Sequence, residues 1–257
     1  MRFRDRVALI TAAGAGIGAA TARLLAGDGA RVALLDVAAE PLAGVADSIR
    51  KAGGTCLTIT ADALDEAQVE TAVREVIAAF GRIDVLVNLV GGSTVAGRGE
   101  AAVDELTLAE WAKILDFNLR GTFLCTRAVI PHMKAQRSGR IVNVSSIVAR
   151  GDRAAEKSNA AYVLAKAGIR SLTRKLAFEL GPFGVTCNAT APGVTLTERL
   201  ETKILAQRTP EARRQMDQAV PLGRQATPED QARVIAFLAS DDAAFVSGQT
   251  IEVTGGQ

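Results

Sequence analysis

The sequence predicts an α/β fold, with a single doubly wound parallel sheet and helices on both faces. Three observations predict it. Short apolar runs rich in Val, Ile and Leu alternate with longer amphipathic segments from one end to the other. A glycine-rich turn joins the first apolar run to the first helical pattern. A lone acid, Asp36, closes the second run about twenty residues further on. Strand, helix and strand repeated in this way require a parallel sheet covered on two sides.

The elements follow in order. Val7–Ala12, Arg31–Leu35, Cys56–Thr60, Val85–Asn88, Arg140–Val144 and Val185–Ala189 read as buried strands. Between them, Ala19–Gly27, Glu66–Phe80 and Tyr162–Leu180 carry helical periodicity. No repeat, low-complexity tract or linker divides residues 1–257, so one domain is expected. Two long stretches read as irregular, Gly91–Asp104 and Thr195–Gln225, and loops of that length in an α/β domain usually bind or cover a ligand.

Composition narrows the function. Hydrophobic residues make up 48% and charged residues 23% of the chain, as in a compact globular core. The net charge is +2, with basic and acidic residues interspersed, which argues against a nucleic-acid surface. No run approaches the ~20 apolar residues of a membrane span, and the N-terminus reads as a first strand, not a signal peptide. Cys56, Cys125 and Cys187 are far apart and odd in number, so neither a zinc site nor a disulfide framework is indicated. A reducing cytoplasm is the expected compartment.

The turn Thr11-Ala12-Ala13-Gly14-Ala15-Gly16-Ile17-Gly18 lets backbone N–H groups approach a pyrophosphate at a helix N-terminus. Taken alone it also has a plainer reading, a tight strand-to-helix turn. Asp36 stands where a carboxylate accepts hydrogen bonds from adenosine ribose hydroxyls. It would repel a 2′-phosphate, and the neighbouring positions Ala13, Ala15, Val37 and Ala38 hold no basic residue. NAD is therefore expected over NADP.

Tyr162 and Lys166 stand four apart in a helical segment and share one face. Lowering a tyrosine pKa from ~10 to ~7 needs roughly 4 kcal/mol. One cation at about 4 Å, with an effective dielectric near ~20, supplies about that much. A tyrosine so tuned serves as a general acid or base. Upstream, the strand Arg140–Val144 runs into Ser145-Ser146, which places two hydroxyls on the edge where parallel sheets bind ligands. Read separately, these are an ordinary amphipathic helix and a pair of turn-forming serines.

In combination they resemble the short-chain dehydrogenase/reductase family. The glycine-rich turn, Asp36, Asp62-Ala63, Asn88, Asn118, Asn143-Val144-Ser145-Ser146, Tyr162, Lys166 and Pro192-Gly193 occur in that family's order and approximate spacing, from about Arg6 to Gly256. The resemblance implies a Rossmann-like fold and hydride exchange between NAD and an alcohol or ketone carbon. It implies that Tyr162 moves a proton at the reacting oxygen and that Ser146 orients that oxygen. Lys166 would hold the nicotinamide ribose, and Asn118 would anchor a water in a proton relay. Asp62 and Ala63 would contact adenine, and Asn88 would support the sheet. Pro192, Gly193, Thr195 and Thr197 would grip the nicotinamide amide and phosphates, with Ala13, Gly14, Gly16, Ile17, Gly18 and Gly91 completing the cofactor site.

The sequence departs from the family pattern in places. The first turn glycine is Ala12, with Gly14 expected to supply the flexibility, and the segment after the fourth strand reads Asn88-Leu89-Val90-Gly91. The interval from Ser146 to Tyr162 is longer than usual, enlarging a substrate loop at about 147–159, and Thr254 replaces a frequent aspartate. Arg98, Arg150, Arg153, Lys157, Arg199 and Lys203 surround the expected substrate mouth. They read either as solvated loop charges or as binders of an anionic substrate group. A homotetramer is expected from the resemblance and from the apolar residues Ala160, Ala161, Val163, Leu164, Ala167 and Leu172. The alternative to an enzyme is a catalytically silent NAD-binding sensor or scaffold on the same fold, but such relatives typically lose the tyrosine or the lysine.

Overall fold

The computed structural model describes residues 1–97, 99–203 and 208–257, the side chain of Lys203 excepted. Seven parallel strands form one sheet in the order β3-β2-β1-β4-β5-β6-β7. They are β1 Val7–Thr11, β2 Arg31–Asp36, β3 Thr55–Thr60, β4 Val85–Asn88, β5 Gly139–Val144, β6 Val185–Pro192 and β7 Thr250–Val253. The helices are α1 Gly16–Gly27, α2 Ala39–Lys51, α3 Glu66–Phe80, α4 Leu108–Gln136, α5 Ala160–Leu180, α6 Glu198–Lys203, α7 Pro210–Gln218 and α8 Pro228–Ala239. The expected doubly wound architecture is borne out, and all six expected strands occur within two residues at most of their predicted starts. β6 extends three residues further than expected, to Pro192.

The two faces of the sheet bury separate cores. α1, α2 and α8 pack against one face through Leu25, Leu42, Ile49 and Ile235. α3, α4 and α5 cover the other through Val73, Val129, Met133 and Leu176. Central strands such as β1, buried along their whole length, are therefore continuously apolar and lack alternation. Polar caps fix the helix starts: Asp65 accepts from the Gln68 N–H, Thr107 from Glu110 and Asn159 from Tyr162.

The strand order reverses between β1 and β4. The carboxyl ends of these strands open a crevice, which is where open α/β sheets bind ligands. Thr11 at the end of β1 spans the crevice, its hydroxyl accepting from the Leu89 N–H at 2.9 Å. The opposite ends are locked by Asp84, fully buried, which accepts from the Val7 N–H at 2.9 Å and pairs with Arg82 at 2.6 Å.

The stretch 195–225 is not irregular as expected. It holds α6 and α7, whose starts are marked by Glu198 and by Thr209-Pro210. These helices are short and bury little, so their apolar periodicity is too weak to read.

Candidate active site

The turn after β1 places its strain where the sequence did not suggest. Ala12 itself adopts a left-handed backbone, φ 50°, and Gly16 follows at φ 52°. Gly14 does not have positive φ, so the expectation that it supplies the flexibility is corrected. Its role is space: a β-carbon there would lie 3.0 Å from Asp36 Oδ2. The Asp36 carboxylate accepts from the Gly14 N–H at 2.9 Å and from the Ala38 N–H at 3.0 Å. At Gly18 a β-carbon would overlap the carbonyl oxygen of Ala12. Only glycine lets α1 begin this close to β1. No side chain caps α1, so its first N–H groups face the crevice.

Across the crevice, the end of β5 is fastened to α5. Lys166 Nζ donates to the Val144 carbonyl at 3.0 Å, and Ser145 Oγ donates to the Lys166 carbonyl at 2.7 Å. Ser146 and Tyr162 both line the cleft, the Ser146 hydroxyl near enough to favour the tyrosinate, and Lys166 Nζ lies 5.8 Å from the Tyr162 ring centroid. Asn159 completes the α5 start by accepting from the Tyr162 N–H at 2.9 Å, while its own N–H donates to the Gly99 carbonyl at 2.8 Å. Asn159 therefore ties the tyrosine's helix to the 91–104 segment. The sequence reading missed it, although an Asn three residues before a helical Tyr is an N-cap signal.

Asn118, fully buried on α4, accepts from the Gly92 N–H at 2.9 Å and donates to the Gly92 carbonyl at 3.1 Å. It also donates to the Ile114 carbonyl at 2.9 Å. A β-carbon at Gly91 would lie 2.7 Å from both Asn118 Oδ1 and Lys166 Nζ, so the chain passes between them only as glycine.

A cleft of about 860 Å³ joins these parts. Gly16, Ile17, Gly18, Asp36, Gly91, Ser146, Tyr162, Lys166, Pro192, Gly193, Thr195 and Thr197 all line it. The remaining predicted residues do not. Ala13 is buried beneath the turn and donates its N–H to the Leu35 carbonyl. Asn88 donates to Thr126 and Asn143 inside the sheet, as a supporting role requires. Asp62 accepts from the Leu64 N–H, and Ala63 is buried beside it.

The basic residues around the mouth divide. Arg150 is committed elsewhere: it pairs with Glu252 at 3.1 Å and donates to the Gln257 carbonyl at 2.6 Å. Arg199 lines the cleft and donates to Thr94 Oγ1 at 2.7 Å. Arg98 and the Lys203 side chain lie outside the described residues.

Burial sets the protonation of the centre. It pulls Lys166 down from 10.5 to about 8. It pushes Tyr162 above its ordinary value, and the Ser146 hydroxyl pulls the other way. The sequence reading assigned the downward pull to the Lys166 ammonium. In the structure that ammonium donates to Val144, and Ser146 is the group that favours the tyrosinate.

Over residues 11–257 the chain matches a family model described as enoyl-(acyl carrier protein) reductase. It is 41% identical over 254 residues to cis-4-hydroxycyclohexanecarboxylate dehydrogenase of Sinomonas cyclohexanicum, covering 99% of this chain and 97% of that one. The chain belongs to the short-chain dehydrogenase/reductase family. The crystal structure of levodione reductase superposes with a TM-score of 0.91 at 36% identity, covering 100% of this chain and 98% of that one. That of NAD+-bound xylitol dehydrogenase gives 0.88 at 31% identity, with both chains fully covered. The protein is thus an oxidoreductase of a family that works with a nicotinamide cofactor. The site fits such a group: a side-chain-free turn at Gly16 and Gly18, an uncapped helix N-terminus and a carboxylate with spare acceptor sites. Among the described residues no cluster could hold a metal ion, and no helix is long and apolar enough to cross a membrane.

Proposed function

We propose that this chain interconverts a secondary alcohol and a ketone with NAD, using Tyr162 as the general acid/base. The observation that carries the reading is the convergence of Ser146, Tyr162 and buried Lys166 on the cleft that Gly16, Gly18 and Asp36 also line. Gly16, Ile17 and Gly18 would present backbone N–H groups to the pyrophosphate, and Asp36 would accept from the ribose hydroxyls. Pro192, Gly193, Thr195 and Thr197 would flank the nicotinamide end. When bound, the nicotinamide exchanges a hydride with the substrate carbon. Tyr162 takes the alcohol proton at its hydroxyl oxygen in oxidation and returns it in reduction. Ser146 holds the reacting oxygen, and Lys166 contributes positive charge beside the forming tyrosinate. Asn118 keeps the Gly91–Gly92 backbone against Lys166.

NAD is favoured because Asp36 stands at the cleft edge, and Ala12, Ala15, Ala38 and Pro41 around it bring no positive charge. A carboxylated cyclic alcohol is a sensible first substrate, given the name of the 41% identical relative. Arg199, which lines the cleft and has a neutral Thr94 hydroxyl as its partner, supplies a cation for such a group. We also propose one domain assembling as a homotetramer. Leu164 (51% exposed), Phe123 (50%) and Phe178 (81%) present apolar surface on α4 and α5. Ala161 and Leu172, by contrast, are used within the subunit.

The deciding experiment follows reduced-cofactor absorbance over a panel of alcohols with NAD and NADP. Tyr162→Phe is expected to retain NAD binding and lose nearly all kcat. Near-normal turnover in that variant overturns the reading, and a monomeric mass at micromolar concentration removes the tetramer.

A further inference from the structure

The row of polar contacts between α5 and the end of β5 does not stop at Lys166. One turn further along the same face stands Arg170. Its Nη2 donates to the Ser146 backbone carbonyl at 3.2 Å. The same nitrogen donates to Glu252 Oε1 at 3.0 Å. Glu252 lies on β7, level with Ala191 of β6, and it also holds Arg150 through Nε at 3.1 Å. Arg150 ends the 3-10 turn Ile147–Arg150 that leads away from Ser146. One carboxylate therefore clamps both the helix residue that holds Ser146 and the last residue of the turn that Ser146 begins.

We infer that Arg170, held by Glu252, is a positioning residue for Ser146, fixing its backbone so that its hydroxyl stays beside Tyr162 in the cleft. The inference rests on the proposed catalytic use of Ser146. Ser146 needs such a hold. Its backbone is extended, φ −164° and ψ 157°, at the point where the strand ends. Among the described residues its hydroxyl makes one long hydrogen bond, accepting from the Val148 N–H at 3.4 Å. Its carbonyl accepts from the Ala149 N–H at 3.1 Å inside the turn and from Arg170, which reaches it from outside the turn. The bonds from Ser145 to Lys166 and from Lys166 to Val144 fasten its neighbours to the helix that carries Tyr162, and the guanidinium reaches Ser146 itself.

The energetics favour a real hold. Arg170 and Glu252 are 24% and 33% exposed and Arg150 is 26% exposed, so the three charges are screened less than open surface pairs. Arginine presents donors in a fixed plane, so a single group can bond a carbonyl and a carboxylate together. Lysine would keep the charge and lose that planar fork. A displacement of about 1 Å at a reacting group costs up to about 100-fold in rate. A backbone tie at Ser146 is therefore felt in kcat before it is felt in folding.

The test is a double-mutant cycle with kcat, KM and cofactor affinity measured for each protein. Arg170→Ala is expected to lower kcat at least about 10-fold, with KM for the alcohol and Kd for NAD within about 2-fold. In a Ser146→Ala background the same change is expected to cost less than about 2-fold, because the group being positioned is gone. Arg170→Lys recovers part of the loss. Glu252→Gln, a milder change on an edge strand, lowers kcat in the same direction and guards against failure of Arg170→Ala to fold. If Arg170→Ala and Glu252→Gln leave kcat unchanged, the inference is overturned while the site reading stands. Equal losses with and without Ser146 also overturn it, since Arg170 then acts on overall stability. If Ser146→Ala and Tyr162→Phe both keep full turnover, the site reading itself fails and takes this inference with it.

Discussion

A β-carbon on Gly18 would overlap the carbonyl oxygen of Ala12 and lie 2.9 Å from its carbonyl carbon. The neighbour is backbone on a turn between a buried strand and a buried helix, so it has nowhere to retreat. Gly18→Ala is expected to lose about 1–3 kcal/mol of stability and most cofactor affinity. Thermal unfolding and a cofactor titration check this. Wild-type values for both would mean that α1 can slide away from β1.

Ala12 holds φ 50°, a conformation that costs an L-residue about 1–2 kcal/mol. Ala12→Gly removes that strain but gains about 0.4–1 kcal/mol of unfolded-chain entropy. The balance is a stabilisation of up to about 1 kcal/mol, or roughly 2–4 °C in Tm for a chain of this size. A lower Tm in the variant would show that the turn relaxes around alanine.

Asp36 does two jobs at one carboxylate, bonding the Gly14 and Ala38 N–H groups while standing at the cleft edge. Asp36→Ala with Val37→Arg is expected to move the NADP/NAD ratio of kcat/KM at least about 10-fold toward NADP. It should also lose about 1 kcal/mol for each hydrogen bond, so the swapped enzyme melts lower. An unchanged ratio removes Asp36 as the discriminating residue.

Stability should turn over near pH 9. Lys166 titrates near 8 when folded and at 10.5 as a free side chain, so between those values the unfolded chain binds the extra proton. Raising pH through this window therefore stabilises the fold. Burial raises Cys125 and Cys187 from 9.0 to about 12, so above pH 9 the folded state binds the extra protons and stability falls. The unliganded protein should gain about 1 kcal/mol, roughly 2–4 °C, from pH 8 to 9 and lose it beyond. Lys166→Met should abolish the rise and keep the fall. A rise that persists in that variant would assign the titration elsewhere.

The sheet was legible because central parallel strands are buried on both faces and their apolar runs are unbroken. β7 was not: Thr250–Val253 is a four-residue edge strand with no fully buried position. The meeting of Ser146, Tyr162 and Lys166 at one cleft was legible because short local motifs mark all three. The hold on those residues was not. Arg170 meets Glu252 across 82 residues of chain, and nothing in either local pattern announces the other. The protonation balance at Tyr162 was misread for a related reason. Spacing put Lys166 on the tyrosine's face but could not reveal the Val144 carbonyl that takes its ammonium.

The hydrogen bond from Arg199 to Thr94 joins two chain segments that contribute nothing to the sheet. The side chains proposed to move the proton sit on α5 and just past β5, which are anchored in the core. On that proposal, selectivity and reactivity are written on separable parts of the chain. Positions in these two segments other than Gly91, Gly92, Gly99, Thr195 and Thr197 are the ones open to exchange for new alcohols while Ser146 and Tyr162 keep their geometry, which suits this scaffold to stepwise retargeting.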